Sequence, residues 1–272
     1  LPDATATIAT TTDVAARLPS ITDGGNATAM TITAAEHIGI GITSPAITAG
    51  GSRYLTTGTQ TAGQAGFFEL VGNRTANAGQ DLAIMKFVNN TTEIAEIGAY
   101  DNGSTNGGVL KFKTSSGGTP ATAMKIDSTG AVTKPLQPAF QATGAGQNNL
   151  AVSTLHTLAL TERFDNNADF ASNTFTAPVG GKYQLNLLLY VQDVDSASSY
   201  IEALVTTSNR TYACIISSNG FDQDLGYLTL ALNVLADMDA NDTVYVRVQT
   251  SGGTQQTDIN QANTHFSGYL VC

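Results

Sequence analysis

The sequence predicts an all-β protein, and three observations carry that expectation. Only 12% of the 272 residues are charged, and Thr, Ala, Asn, Ser and 27 glycines fill the difference. Solvent-facing helices depend on Glu, Lys and Arg, whereas threonine sits well on an exposed strand face. Apolar residues in the second half recur with period two, as strands with one buried face require. Between these runs lie "TTSNR", "SSNGFDQD", "DMDAND" and "SGGTQQ", clusters of the residues that make tight turns. Several strands separated by such turns form a sandwich or a barrel.

At the start of the chain, residues 1–20 are rich in Thr and Ala, and "TTTDVAARL" fits either a short capped helix or a flexible anchor arm. Leu1 stands where a methionine is usual, which leaves room for a preceding piece. "LPDATATIATTTDV" lacks the basic and apolar regions of a secretion signal. Further on, the apolar residues come in short groups: Leu82, Ile84 and Phe87; Ile94, Ile97 and Tyr100; Leu110 and Phe112; Met124 and Ile126. At about 25 cal/mol per Å², so little apolar surface offsets the ordering of its backbone poorly. Pairing with further copies of the same chain supplies the missing burial, so a homo-oligomer is expected.

A weak internal repeat links "TAMTITAAEHIGIG" (Thr28–Gly41) to "TAMKIDSTGAVTKP" (Thr122–Pro135). Each has Ala-Met, an isoleucine two residues later, a short polar turn and small apolar residues, which predicts one hairpin used twice. "TKPLQPAF", with Pro135 and Pro138, marks the best boundary before the second half. Beyond it, Tyr183, Leu185, Leu187, Leu189 and Val191 share one strand face. Leu228, Leu230, Leu232 and Val234 share another, and Val244, Val246 and Val248 a third.

Charge narrows the function classes. Twelve basic and 22 acidic residues give a net charge of −10 with no basic stripe, which disfavours nucleic acid and anionic membrane surfaces. No apolar run approaches the roughly 20 residues that span a bilayer, so membrane insertion is not expected. Cys214 and Cys272 are far apart in the chain; one disulfide is open to them, and two buried or idle thiols fit better.

Two stretches carry family resemblances. "GGVLKFKTSSGGTPATAMKIDSTGAV" (Gly107–Val132) resembles a pattern recurrent in bacteriophage tail fibres and related appendage proteins. Leu110, Phe112 and Thr114 match its first strand, and Met124, Ile126, Gly130 and Val132 its second. "HIGIGITSP" (His37–Pro45) is similar to a tail often attached to that unit. "FTAPVGGKYQLNL" resembles the signature strand pair of the jelly roll shared by the complement globular head and the tumour necrosis factor (TNF) family. Phe175, Pro178, Gly181 and Tyr183 occupy the signature places. "RFDNNADF", with Phe164 and Phe170, matches the lead-in, and "ANDTVYVRV" matches a later strand, with Asn241 where glycine is usual. "HFSGYLVC", with Phe266 and Gly268, resembles the last strand. That resemblance implies a trimer about a threefold axis, and the two together imply a virion appendage.

Chemistry at individual motifs is thin. Gly180-Gly181-Lys182 is not a P-loop, because Thr176 stands where the first glycine belongs and Tyr183 follows the lysine. It also leads into a strand, whereas phosphate cradles open helices. "DMDAND" begins like a calcium loop but has Asp242 and Val248 at the glycine and glutamate positions. His37, His156 and His265 have no ligand partners at zinc spacing. Glycan hydrolysis needs two carboxylates about 5–10 Å apart, and Asp165/Asp169, Asp193/Asp195 and Asp222/Asp224 are candidates by spacing. Acidic turns are ordinary, however, and the chain has no tryptophan to stack on a sugar. A non-enzymatic protein with no catalytic residue, metal or cofactor is expected.

The expectation is therefore an all-β, homotrimeric fibre protein of a virion with a TNF-like jelly-roll knob. Residues 1–45 form an N-terminal arm and first hairpin that meets other virion proteins, 46–134 a β-rich shaft, and 135–272 the knob. The knob attaches to a host surface glycan or protein through loop residues Asp193, Asp195, Tyr200, Asn209, Arg210, Tyr212, Asn219, Phe221 and Asp222, since loops on rigid β scaffolds carry recognition. A head fibre or capsid-decorating protein is the first rival, a short glycan-cleaving tailspike the second, and a secreted TNF-like ligand the third.

Overall fold

The computed structural model describes residues 20–22, 28–32, 38–40, 55–57, 62–63, 65, 67–71, 79–104 and 107–272. The expected arm or helix before Ser20, His37, and the stretch from Gly41 to Pro45 lie outside the described residues. Every described element is a strand except one turn of 3-10 helix at Ser218–Gly220. The chain divides into two compact units, Leu1–Asn73 and Arg74–Cys272.

In the first unit, β1 (Ser20–Thr22), β2 (Thr28–Ile32), β3 (Ile38–Ile40) and β4 (Leu55–Thr57) form one sheet in that order. The second unit opens with an antiparallel meander of β5 (Asp81–Asn89), β6 (Thr92–Asp101), β7 (Gly108–Thr114), β8 (Ala121–Ile126) and β9 (Val132–Thr133). The internal repeat is a repeat of structure. Ile32 pairs with Ile38 in β2–β3, and Ile126 pairs with Val132 in β8–β9, so both hairpins have the same register. In the second copy Asp127 holds the turn, accepting from the amides of Thr129 and Ala131 and from the Thr129 hydroxyl. Gly130, at φ 89°, takes the left-handed conformation that this turn demands.

The rest of the second unit is a β-sandwich. Its strands are β10 (Ala139–Gly144), β11 (Gln147–Leu150), β12 (His156–Thr157), β13 (Leu160–Asp165), β14 (Phe170–Ala171), β15 (Thr174–Thr176) and β16 (Gly181–Val194). They continue with β17 (Ser198–Thr207), β18 (Thr211–Ile216), β19 (Leu225–Met238), β20 (Thr243–Gly252), β21 (Thr257–Ile259) and β22 (His265–Leu270). One sheet runs β11-β21-β16-β22-β10-β13, with β19 also on β16; the other runs β14-β15-β20-β17-β18, with β12 on β20. The chain changes sheet from β11 to β12, β12 to β13, β13 to β14, β15 to β16, β16 to β17, β18 to β19, β19 to β20 and β20 to β21, the crossing pattern of a jelly roll.

Alternation builds the core between the two sheets. Tyr183, Leu185, Leu187, Leu189 and Val191 of β16 are buried against Val244, Val246 and Val248 of β20 and Ile201, Ala203 and Val205 of β17. Phe175 and Tyr183 are fully buried, and the Tyr183 hydroxyl donates to the Val179 carbonyl at 2.8 Å. Pro178 follows β15, and Gly181 is the first residue of β16. A Cβ on Gly181 would stand 2.5 Å from the Cys272 carbonyl oxygen, so this glycine is required by close approach of backbone. Gly268 serves the core in the same way: a Cβ there would lie 2.7 Å from a Phe140 ring carbon and 2.8 Å from Leu185 Cδ2.

Crowding at Gly268 is directly testable. Gly268→Ala forces the Phe140 ring off its partners and is expected to lower unfolding stability by roughly 1–3 kcal/mol in urea titration. Gly220→Ala, where nothing lies within 4 Å of the added carbon, serves as the neutral control.

Candidate functional site

The sandwich has two unlike ends. The chain enters at one of them, where the Leu270 amide donates to the Pro138 carbonyl and Lys182 pairs with Asp237 at 2.5 Å. The turn "DMDAND" lies at this end and is tied internally. Asp242 accepts from the Asp239 amide and from the Asn209 side chain, and the Asn241 amide donates to the Ala177 carbonyl. A groove of about 610 Å³ opens here, lined by Ala123, Lys134, Asp169, Val179, Leu270 and Cys272 among others. One oxygen of Asp169 is buried there without a hydrogen-bond partner. Burial first, and the charge of Asp165 second, push its carboxyl above the usual range.

The far end is a rim of four loops. Residues 195–197 join β16 to β17, 217–224 join β18 to β19, 253–256 join β20 to β21, and 151–155 join β11 to β12. Asp195 is the hub. It is 4% exposed, and its carboxylate accepts from Ala197 and Thr254 at 2.7 Å and from Gln255 at 3.0 Å, all backbone amides. A Cβ on Gly253 would strike that carboxylate at 2.4 Å, so glycine lets the third loop close on it. The Ser196 amide and hydroxyl both donate to Asp224. Ser198 and Ser218, both buried, share a hydroxyl–hydroxyl contact at 2.5 Å. The Gly252 amide donates to the Ser153 hydroxyl, joining the fourth loop. Charge-assisted bonds of this kind are the strong ones, so the rim is a braced surface.

This geometry divides the nine loop residues expected to meet a ligand. Asp193, Asn219 and Asp222 are exposed on the rim, and Phe221 is half-buried beside them. Asp193 takes a left-handed φ of 58° at a bulge, where Gln192 and Val194 pair with β19 and Asp193 does not. Asn209 and Arg210 belong to the β17–β18 turn at the opposite end, a strand length away, or roughly 30 Å at 3.3 Å per residue. Tyr212 is partly buried against the core. Asp195 is buried, and three backbone amides hold its carboxylate. Tyr200, half-buried on β17, lies just inside the rim. Strand counting would have separated the ends, because successive antiparallel hairpins turn at alternate ends. Ser153, Ser196, Ser198, Ser218 and Thr254 carry no sequence signal, since their partners are distant in the chain.

The outer face of the first sheet carries Gln184, Asn186, Leu188 and Tyr190 of β16 opposite Leu235, Asn233, Ala231 and Thr229 of β19. His265, Ser267 and Tyr269 of β22 continue it, and Tyr190 and Tyr227 pack with ring centroids 5.7 Å apart. Between the Lys182–Asp237 pair and Gln192, no Asp, Glu, Lys or Arg lies on these three strands' outer face. Tyr227, Leu235 and Tyr269 are each about half exposed or more. The Nδ1 of His265 is buried there without a partner.

No protein-family model matches the chain, and no curated protein matches it in sequence. Among solved structures, it is similar to the globular domain of zebrafish complement 1qA protein (14% identity, TM-score 0.37), covering 50% of this chain and 98% of that one. Murine APRIL matches at 11% identity and TM-score 0.38, over 50% of this chain and 99% of that one. The Eiger TNF of S. frugiperda matches at 11% and 0.39, over 50% and 94%.

The bracing role of Asp195 makes the rim sensitive to acid. The amides of Gln255, Thr254 and Ala197 hold its carboxyl below the usual carboxylate range. Such a group stabilises the fold above its unfolded pKa of about 4, and that contribution is lost as pH falls through the lower folded value. Asp195→Asn is therefore expected to melt earlier than the native protein near neutral pH. The two melting temperatures should converge as pH is lowered below about 4; a gap independent of pH would refute the assignment.

Proposed function

We propose that this protein is a non-enzymatic, homotrimeric fibre protein of a virion that attaches to a host-cell surface through the far rim of its sandwich. The observation that carries the reading is the polarity of the sandwich: the chain enters at one end, and the braced, exposed loops lie at the other. A surface receptor must be met by the end that points away from the particle. Asp193, Asn219, Phe221 and Asp222 offer acceptors, donors and one aromatic face there, suited to a glycan or a polar protein epitope. Support for a virion origin comes from the resemblance of Gly107–Val132 to phage appendage proteins.

Self-association is supported by the charge-free outer face of β16, β19 and β22. Interface centres are depleted in charge and enriched in tyrosine, and this face has both properties in a molecule of net charge −10. Trimers formed there would point three rims the same way, so that weak single contacts combine.

Two experiments test this reading. Labelled protein is expected to adhere to bacterial cell envelopes or to a bacterial glycan array. Phe221→Ala and Asp222→Ala should each lower that adhesion by about tenfold, the effect of losing roughly 1.4 kcal/mol. Asn209→Ala and Arg210→Ala, at the entry end, should leave it unchanged; the reverse pattern would refute the rim. Separately, Leu188→Glu is expected to weaken the trimer in light scattering, because it desolvates a charge at the interface.

A further inference from the structure

The five-stranded sheet β5–β9 has its polarity reversed relative to what an isolated sheet needs. Register places Ala83, Met85 and Phe87 of β5, Ala95, Ile97 and Ala99 of β6, Leu110 and Phe112 of β7, and Met124 and Ile126 of β8 on one face. Asp101, which follows Ala99 on that face at the end of β6, is 4% exposed, so no charged side chain interrupts the exposed part of the set. No second layer covers it among the described residues, and Met85, Phe87, Ile97 and Leu110 are 43%, 42%, 38% and 37% exposed.

The opposite face covers itself. Tyr100 there is 2% exposed and Glu96 4% exposed, although both are polar. The ammonium groups of Lys111 and Lys113 sit over the Tyr100 ring at 4.0 and 4.4 Å from its centroid. Lys113 pairs with Glu96 at 3.1 Å, the Tyr100 hydroxyl donates to Glu96, and Lys86 pairs with Glu93 at 2.7 Å. Lysine stems thus make a finished outer surface, while the apolar face is left open.

We infer that this apolar face docks on the same face of two further copies of the chain, so that three sheets enclose a common core. The inference rests on the trimer proposed above but concerns a different surface. A face on which Asp101 is buried meets its own copies without repulsion, and the charged face, which would repel them, is turned outward. Four strands about 4.8 Å apart and some seven residues long give roughly 450 Å² of flat sheet per copy, and three copies pool roughly 1,300 Å² around one core, which adds to the burial at the outer face of β16, β19 and β22.

The test uses the full chain with Cys214 and Cys272 replaced by serine, and a single new cysteine in turn by Ile97→Cys, Leu110→Cys or Met124→Cys. Light scattering first counts the chains, and mild copper-catalysed oxidation follows. Trimers that yield covalent dimers from at least one of these variants, and none from Lys111→Cys on the outer face, are expected. A trimer in which none of the three crosslinks, or in which Lys111→Cys crosslinks equally, overturns this inference and leaves the trimer standing. A monomeric protein overturns both. Ile97→Asp gives a second readout: it should destabilise the trimer, whereas Lys111→Asp should not, and equal effects would count against the enclosed core.

Discussion

The sandwich depends on one aromatic clamp between its two sheets. Phe140 of β10 and Phe266 of β22 come from one sheet, and Phe170 and Phe175 come from β14 and β15 of the other. The Phe140 ring stacks on Phe175 at 4.5 Å and on Phe170 at 5.2 Å, and meets Phe266 edge-on at 5.2 Å. Tyr183 closes the set against Phe175 at 5.6 Å. Such pairs contribute beyond their buried area, and five rings from two sheets fix the spacing of the whole sandwich. Gly268 is part of the same device, since only a residue without a side chain leaves room for Phe140 to lie across the sheet.

The clamp sits toward the end where the chain enters, and that position has consequences for the rest. With the entry end immobilised by packing, the far loops are free of core duty and are held by hydrogen bonds instead. Asp195, Ser198 and Ser218 are buried polar groups, each with its partners supplied by the adjoining loops. Buried polar groups are tolerated only when satisfied, so this network specifies one arrangement of the rim. Rigidity of that kind lowers the entropic cost of meeting a ligand.

The two halves of the second unit solve burial differently. The sandwich encloses its apolar residues between two layers of one chain. The five-stranded sheet shields its polar face with lysine stems and leaves its apolar face open, so its burial must come from outside the layer. The outer face of β16, β19 and β22 is a milder case of the same condition, with tyrosines and amides in place of aliphatic residues. Surfaces with so few charges suit a protein that works in copies.

Strand content, the faces of Tyr183–Val191 and Val244–Val248, and the repeated hairpin were all legible in the sequence, because period-two alternation and turn residues are local signals. The charge-free character of Tyr227, Thr229, Ala231, Asn233 and Leu235 was equally visible. Only the tertiary structure decided the rest. It sent Asn209 and Arg210 to the end opposite Asn219 and Phe221, packed Tyr212 partly against the core, and made Asp195 a brace. The physical reason is that each of these fates depends on which loops a sheet order brings together. Asp195 meets Thr254 and Gln255 across 59 and 60 residues of chain. No local pattern encodes a partner that distant.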